Sequence, residues 1–213
     1  MRDHKIIAAL IIVGAAAAIA GAAVAQDAPA PARSEPAGEI DGTIFHAQVL
    51  LDRAGFAPGV IDGKKGMSFE DAVKGFQTSR GLDVTGVLDT PTRAALLKDR
   101  APSTRRLRID ESDASGTFVG SIPDDPADQA RMERLGYRNL LEKIAEKFHT
   151  TPATIVALND PRMALKAGTV LRLPNVLPSS RDYGDVPAEA ARMLSDLNVS
   201  GDLPEAERIV VDK

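Results

Sequence analysis

Residues 44–97 read IFHAQVLLDRAGFAPGVIDGKKGMSFEDAVKGFQTSRGLDVTGVLDTPTRAALL, and their periodicity decides the fold class. Ile44, Phe45, Ala47, Leu50, Leu51 and Ala54 recur at spacings of three and four and stop at Gly55, which predicts an amphipathic helix ended by a glycine. Ser68 reads as an N-cap before the acidic Glu70 and Asp71, with Phe69, Ala72, Val73 and Phe76 sharing one face up to Gly81. Thr90-Pro91 predicts a third helix start, because proline at the first helical position has a preset φ and lacks an N–H that would have no intrahelical acceptor. Ala94, Leu96 and Leu97 carry that helix. A small three-helix bundle over 43–98 follows, with Phe45, Leu51, Phe69, Val73, Phe76 and Leu97 as its expected core.

The turns before the second and third helices are related. Gly59-Val60-Ile61-Asp62 recurs as Gly86-Val87-Leu88-Asp89, 27 positions later. A duplicated turn-helix unit places Val60 and Val87 in equivalent half-buried positions and leaves Asp62 and Asp89 to accept from nearby backbone N–H groups.

Upstream, Met1–Ala25 has a basic start, an apolar run and the small-x-small triplet Ala23-Val24-Ala25, the layout of a cleavable export signal. Residues 26–42, rich in Pro and Ala, read as a solvated tether. Downstream, 99–116 is charged and aperiodic, hence a linker or an exposed strand. Thr117–Ile122 (TFVGSI) reads as a short strand. Leu140, Leu141, Ile144, Ala145 and Phe148 form a helical face, Thr151-Pro152 opens another helix through Ile155, Val156 and Leu158, and Gly168–Pro174 alternates like a strand. The order strand, helix, helix, strand makes 117–175 a small α+β unit in a mostly α protein. A linker with one helix (176–207) and a terminal strand (208–213) complete the reading.

The 213 residues carry 26 Lys+Arg against 30 Asp+Glu, a net charge of -4, and contain no Cys and no Trp. Absent cysteine excludes disulfides, thiolate zinc sites and a cysteine nucleophile within the chain. The acidic balance argues against nucleic acid as partner, since such binders concentrate Lys and Arg to displace phosphate counterions. His4, His46 and His149 are too scattered to suggest a metal site. His46 and His149 are expected to be polar surface residues, and no cofactor or catalytic residue is expected.

Residues 44–97 resemble the peptidoglycan-binding-like domain of bacterial wall enzymes at Leu50, Gly55, Asp62-Gly63, Gly66, Ala72-Val73, Phe76-Gln77, Gly81-Leu82, Val84, Gly86, Asp89, Thr92 and Leu96. Lys65 and Phe69 depart from its pattern, which has an aromatic and a threonine there. Residues 137–175 resemble a degenerate LysM module at Ile144-Ala145, Phe148, Leu158-Asn159, Gly168, Leu171 and Leu173-Pro174, with Tyr137-Arg138-Asn139 in place of the usual Gly-Asp-Thr. The order of these parts, ending in AERIVVDK, is similar to the non-catalytic front half of L,D-transpeptidases. The resemblance implies a periplasmic wall-targeting module with peptidoglycan as partner and Asp62, Gly63, Gln77, Asn159 and Lys166 as contacts; the membrane enters only through the export signal, if it is retained. For Asp62 and Gln77 a second reading stands beside this one, in which Asp62 caps a turn and Gln77 bonds backbone between helices. A stand-alone wall-binding protein and a periplasmic protein–protein adaptor are the alternatives. Net acidity predicts weak, salt-insensitive attraction to a carboxylate-bearing wall.

Overall fold

Helix α1 runs from Gly42 to Arg53 because Asp41 stands at its N-cap, its carboxylate accepting from the N–H groups of Thr43 (2.8 Å) and Ile44 (3.2 Å). It ends where Gly55 takes a φ of 84°, in the left-handed region that glycine enters without strain. The computed structural model describes residues 39–133 and 136–202, all within one compact unit. The export signal 1–25, most of the tether 26–42 and the terminal strand 208–213 lie outside the described residues.

Helices α2 (Met67–Ser79) and α3 (Thr90–Leu96) complete the bundle. Their starts differ from expectation. Gly66, not Ser68, is the N-cap of α2 and gives no side-chain bond. Asp89, not Thr90, caps α3: its carboxylate accepts from Thr92 N–H at 2.9 Å, so Pro91 falls one position further in. The hydroxyl and N–H of Thr92 also hold the Asp89 carboxyl below the ordinary range. Beyond the bundle come β1 (Thr104–Arg108), the one-turn helices α4 (Glu111–Ala114) and α5 (Pro126–Gln129), α6 (Leu140–Lys147), α7 (Pro152–Leu158), β2 (Val170–Pro174) and α8 (Ala188–Asp196). The regular elements among the described residues are thus mostly helices, with one small antiparallel sheet of two strands.

That sheet corrects the sequence reading. Its first strand is Thr104–Arg108, inside the stretch read as a linker or an exposed strand, and pairs with β2 in the register Arg106↔Arg172 and Leu107↔Leu171. Residues 117–122 form no strand; Gly116, just before the segment, and Gly120, within it, have φ of 127° and 69° and turn the chain there. The order strand, helix, helix, strand survives with its first member moved upstream.

The core has two parts meeting at α1. Ile44, Ala47, Leu50 and Leu51 face Phe69, Ala72, Val73, Phe76, Leu88 and Leu96. On the other side of the helix, Phe45 and Val49, with Ile61, pack with Ile109, Ile144, Phe148, Ile155, Leu171, Leu173 and Val176. Two expected bundle-core residues therefore change place. Phe45 belongs to the second core, and Leu97, the residue after α3, is 51% exposed while its neighbour Leu96 is buried. Successive helical residues point about 100° apart, so only one of two adjacent leucines can face α1 and α2. Each fully buried aliphatic such as Val49 or Ile61 contributes about 1.5–3 kcal/mol, which welds the two halves together.

Hydrogen bonds close the same seam. The Ile61 N–H donates to His149 O (2.8 Å), and the Thr150 hydroxyl donates to Ile61 O (2.6 Å). On α6, Lys143 donates to the carbonyls of Ser112 and Ser115, and Lys147 pairs with Asp113 at 2.5 Å. The segment after β2 folds back too: Asn198, buried, donates to Lys147 O at 2.9 Å.

Candidate functional site

Two buried glutamines organise the bundle. Gln77, on α2, accepts through Oε1 from the N–H groups of Thr85 and Gly86, each at 2.9 Å. Its Nε2 faces Val87 O, Thr85 Oγ1 and Thr92 Oγ1. Gln48, on α1, accepts from Gly63 N–H (2.8 Å) and Asp62 N–H (3.2 Å) and donates to the carbonyls of Val60 and Lys64. Each amide thus clamps one copy of the repeated turn, with Val60 and Val87 carbonyls as equivalent acceptors. Burying such an amide is tolerable only because its donors and acceptors are met.

The clamps fix what each turn exposes. Ile61 and Leu88 are the buried members of the repeat, while Val60 and Val87 stand in equivalent positions, 50% and 58% exposed. Asp62 and Asp89 do bond nearby backbone, Asp62 accepting from Lys64 N–H at 2.9 Å. Gly63 has a φ of 77°, and a Cβ there would meet Ile40 Cγ2 at 2.7 Å and Asp41 N at 3.0 Å.

The five sequence-derived contacts do not converge. Gln77 is 0% exposed with its amide fully engaged, and Asp62 and Gly63 sit in the Gln48 clamp. Asn159 lies across the molecule's second half, where its side chain accepts from Arg172 N–H and donates to Arg172 O, both at 2.8 Å, closing the outer edge of β2 as a neighbouring strand would. Lys166 is exposed in the loop before β2. Sequence reasoning missed Gln48; it stands 12 residues before Val60 as Gln77 stands 10 before Val87, a relation visible once the repeat is extended backwards.

Concave surface lies elsewhere. A groove of about 320 Å³ between α1 and α3 has a floor of Ala47, Leu50, Leu88 and Leu96 and a rim of Thr43, His46, Arg93 and Leu97. Arg93 is anchored through Nε to Leu88 O (2.8 Å), and His46 Nε2 lies 3.1 Å from Ala101 O. A broader cavity of about 440 Å³ lies between Phe76, Arg80, Leu82, Lys98 and Asp99, but two of its cations are engaged. Arg53 bonds Asp99 at 2.8 Å and Arg80 stacks over the Phe76 ring at 5.3 Å. Burial works against the Asp99 carboxylate, and the Arg53 and Ala101 hydrogen bonds outweigh it, holding its pKa low.

A third cavity, of about 160 Å³, is lined by His149. The imidazole is no free surface group: Nδ1 lies 2.7 Å from Asp52 Oδ2 and Nε2 2.7 Å from Leu197 O. Both partners are acceptors, so the ring meets both only as an imidazolium. Burial opposes that charge, and the Asp52 hydrogen bond and charge, the Leu197 carbonyl and nearby Glu146 overcome it and raise the pKa. Among the described residues no group of three His, Asp or Glu is arranged to hold a metal, and no helix is long and apolar enough to cross a membrane.

Residues 42–96 match the PG_binding_1 family model, that of a peptidoglycan binding domain. The match begins at the first residue of α1 and ends at the last residue of α3, taking in both glutamine clamps and most of the α1–α3 groove. No curated protein matches the chain.

Proposed function

We propose that this chain binds the bacterial cell wall through the peptidoglycan binding domain at residues 42–96, and that the α1–α3 groove receives the polymer. The observation that carries the reading is the coincidence of the matched segment with a groove whose floor is apolar and whose rim holds one cation and hydrogen-bonding groups. Such a surface suits the methyl groups, amides and carboxylates of a wall peptide better than a sugar ring, which favours aromatic platforms that this groove lacks. The glutamine clamps then serve as scaffold, holding the loops that set the ends of α2 and α3.

The chain acts as a targeting unit, exported to the periplasm by residues 1–25, and stands to wall chemistry as the front half of an L,D-transpeptidase stands to its catalytic domain. The absence of cysteine within these residues supports a non-catalytic role, because that chemistry needs a thiolate. The sequence resemblance over 137–175 to a LysM module supports a second wall contact.

Co-sedimentation with purified sacculi tests the reading. Wild-type chain is expected in the pellet, and Leu97→Glu, at an exposed lip of the groove, is expected to lose about tenfold in affinity with an unchanged melt. Wild-type chain that stays in the supernatant at high sacculus concentration overturns wall binding in favour of the adaptor reading.

A further inference from the structure

The two-stranded sheet turns one face to the core and one to solvent. Leu107, Leu171 and Leu173 share the inner face; Arg106, Arg108 and Arg172 alternate with them and are exposed on the outer one. Arg106 stands directly opposite Arg172 in the register, a juxtaposition of like charges that a sheet avoids when nothing offsets it. Among the described residues neither Arg106 nor Arg172 forms an ion pair, although the protein as a whole carries more acid than base. Arg108 spends one N–H on Gly168 O at 2.7 Å and keeps the rest of its fork. The backbone beneath is fixed, since Asn159 bonds both N–H and C=O of Arg172. Among the described residues the outer edge of β1 pairs with no third strand.

We propose that the outer face of the β1–β2 sheet, built from Arg106, Arg108 and Arg172, is a second docking site for peptidoglycan and takes the carboxylates of its peptide stems. The site rests on the wall-binding function proposed above and adds to it a contact separate from the α1–α3 groove. Guanidinium forks match carboxylates bidentately, which an ammonium cannot do, and the row consists of arginine alone. The occupant also removes the repulsion built into the empty face. Two sites on one chain meeting one polymer raise its overall affinity above that of either alone. Net charge conceals this: a chain of -4 still presents a local cationic row, so binding is salt-dependent where the composition predicts indifference.

The test uses the full chain with sacculi, native or with their carboxyl groups amidated, at low salt and at about 0.5 M salt, where charges are screened beyond a few Å. Arg106→Gln/Arg172→Gln is expected to weaken binding to native sacculi about fivefold at low salt and to flatten the salt dependence. Wild-type chain on amidated sacculi is expected to fall to the level of the double variant, whose melting temperature is unchanged or higher. A double variant that binds native sacculi like wild type, or a wild type indifferent to amidation, overturns the proposal. Capture by anionic phospholipid vesicles that the double variant loses, with sacculus binding untouched, also overturns it and makes the face a membrane contact. If Leu97→Glu lowers binding while the arginine variant does not, the groove stands and this face falls. If wild type ignores every sacculus preparation, both readings fall together.

Discussion

The two copies of the repeated turn are held by the same chemistry and put to different uses. The Gln77 clamp closes a turn whose buried residue, Leu88, stays inside the three-helix core. The Gln48 clamp closes a turn whose buried residue, Ile61, leaves that core and joins the one built by α6, α7 and β2, with its N–H and C=O bonded to His149 and Thr150. One copy is finished within its own bundle and the other is a seam. A short motif thus specifies a local conformation but not a neighbour, which is set by what the rest of the chain brings to it.

The strongest way to break the comparison is to remove the amides. Gln77→Ala and Gln48→Ala each leave several buried backbone groups unpaired and are expected to cost about 3–5 kcal/mol, a large part of the stability of a small protein. They should differ in reach. By amide exchange, Gln48→Ala is expected to open Ile61 together with Gly63, whereas Gln77→Ala opens Thr85 and Gly86 and leaves Ile61 protected. Equal exchange at Ile61 in both variants would mean the seam has no separate identity.

The turn glycines sharpen it further. Gly63→Ala drives a methyl into the backbone at Asp41 and into Ile40, and is expected to cost about 2–4 kcal/mol in urea denaturation. At Gly86, with a φ of 72°, a Cβ would crowd only the flexible stem of Lys74, Glu70 O lying at an ordinary 3.7 Å, so Gly86→Ala is expected to cost about 1–2 kcal/mol, mostly from its positive φ. A reversed order would show that Lys74 is more firmly held than its exposed position indicates.

Smaller effects come from the seam alone. The raised pKa of His149 means the folded state favours the imidazolium, so its stabilisation is fully present below the unfolded value of 6.5 and is lost as pH rises through the folded one. Stability is expected to decline over that window in wild type and to stay flat there in His149→Gln. Thr150→Val should cost about 1 kcal/mol by losing the bond to Ile61 O, while Val60→Thr and Val87→Thr, exposed on the paired turns, should move the melt by no more than about 0.5 kcal/mol equivalent.

Much of this fold was legible. The spacing of Ile44 to Leu51, the proline after Thr151 and the repeated turns placed α1, α7 and the two loops within a residue or two. Capping positions slipped where two plausible caps adjoin, as with Asp89 and Thr90. The strand β1 stood only as one of two alternatives because Arg105 occupies an inward position, opposite Leu173, so that Leu107 and Ile109 alone carry the alternation in a charged segment. The joining of the two halves was the hardest to see, although α1 held the clue: seven of its residues are buried, a stripe too wide for a helix with one partner. Of the candidate contacts, Gln77 makes the backbone bonds of its second, structural reading, whereas the α1–α3 groove is assembled from residues far apart in sequence and has no local signature.

The sharing of α1 between two cores also bears on the order in which the protein is made. Phe45, Val49 and Ile61 emerge early from a ribosome, but the residues that cover them begin at Ile109 and finish with Val176. At translation rates of about 5–20 residues per second, that apolar strip waits roughly 5–20 s for its cover to be synthesised. For that interval the bundle can be complete in outline while one side of its first helix remains sticky.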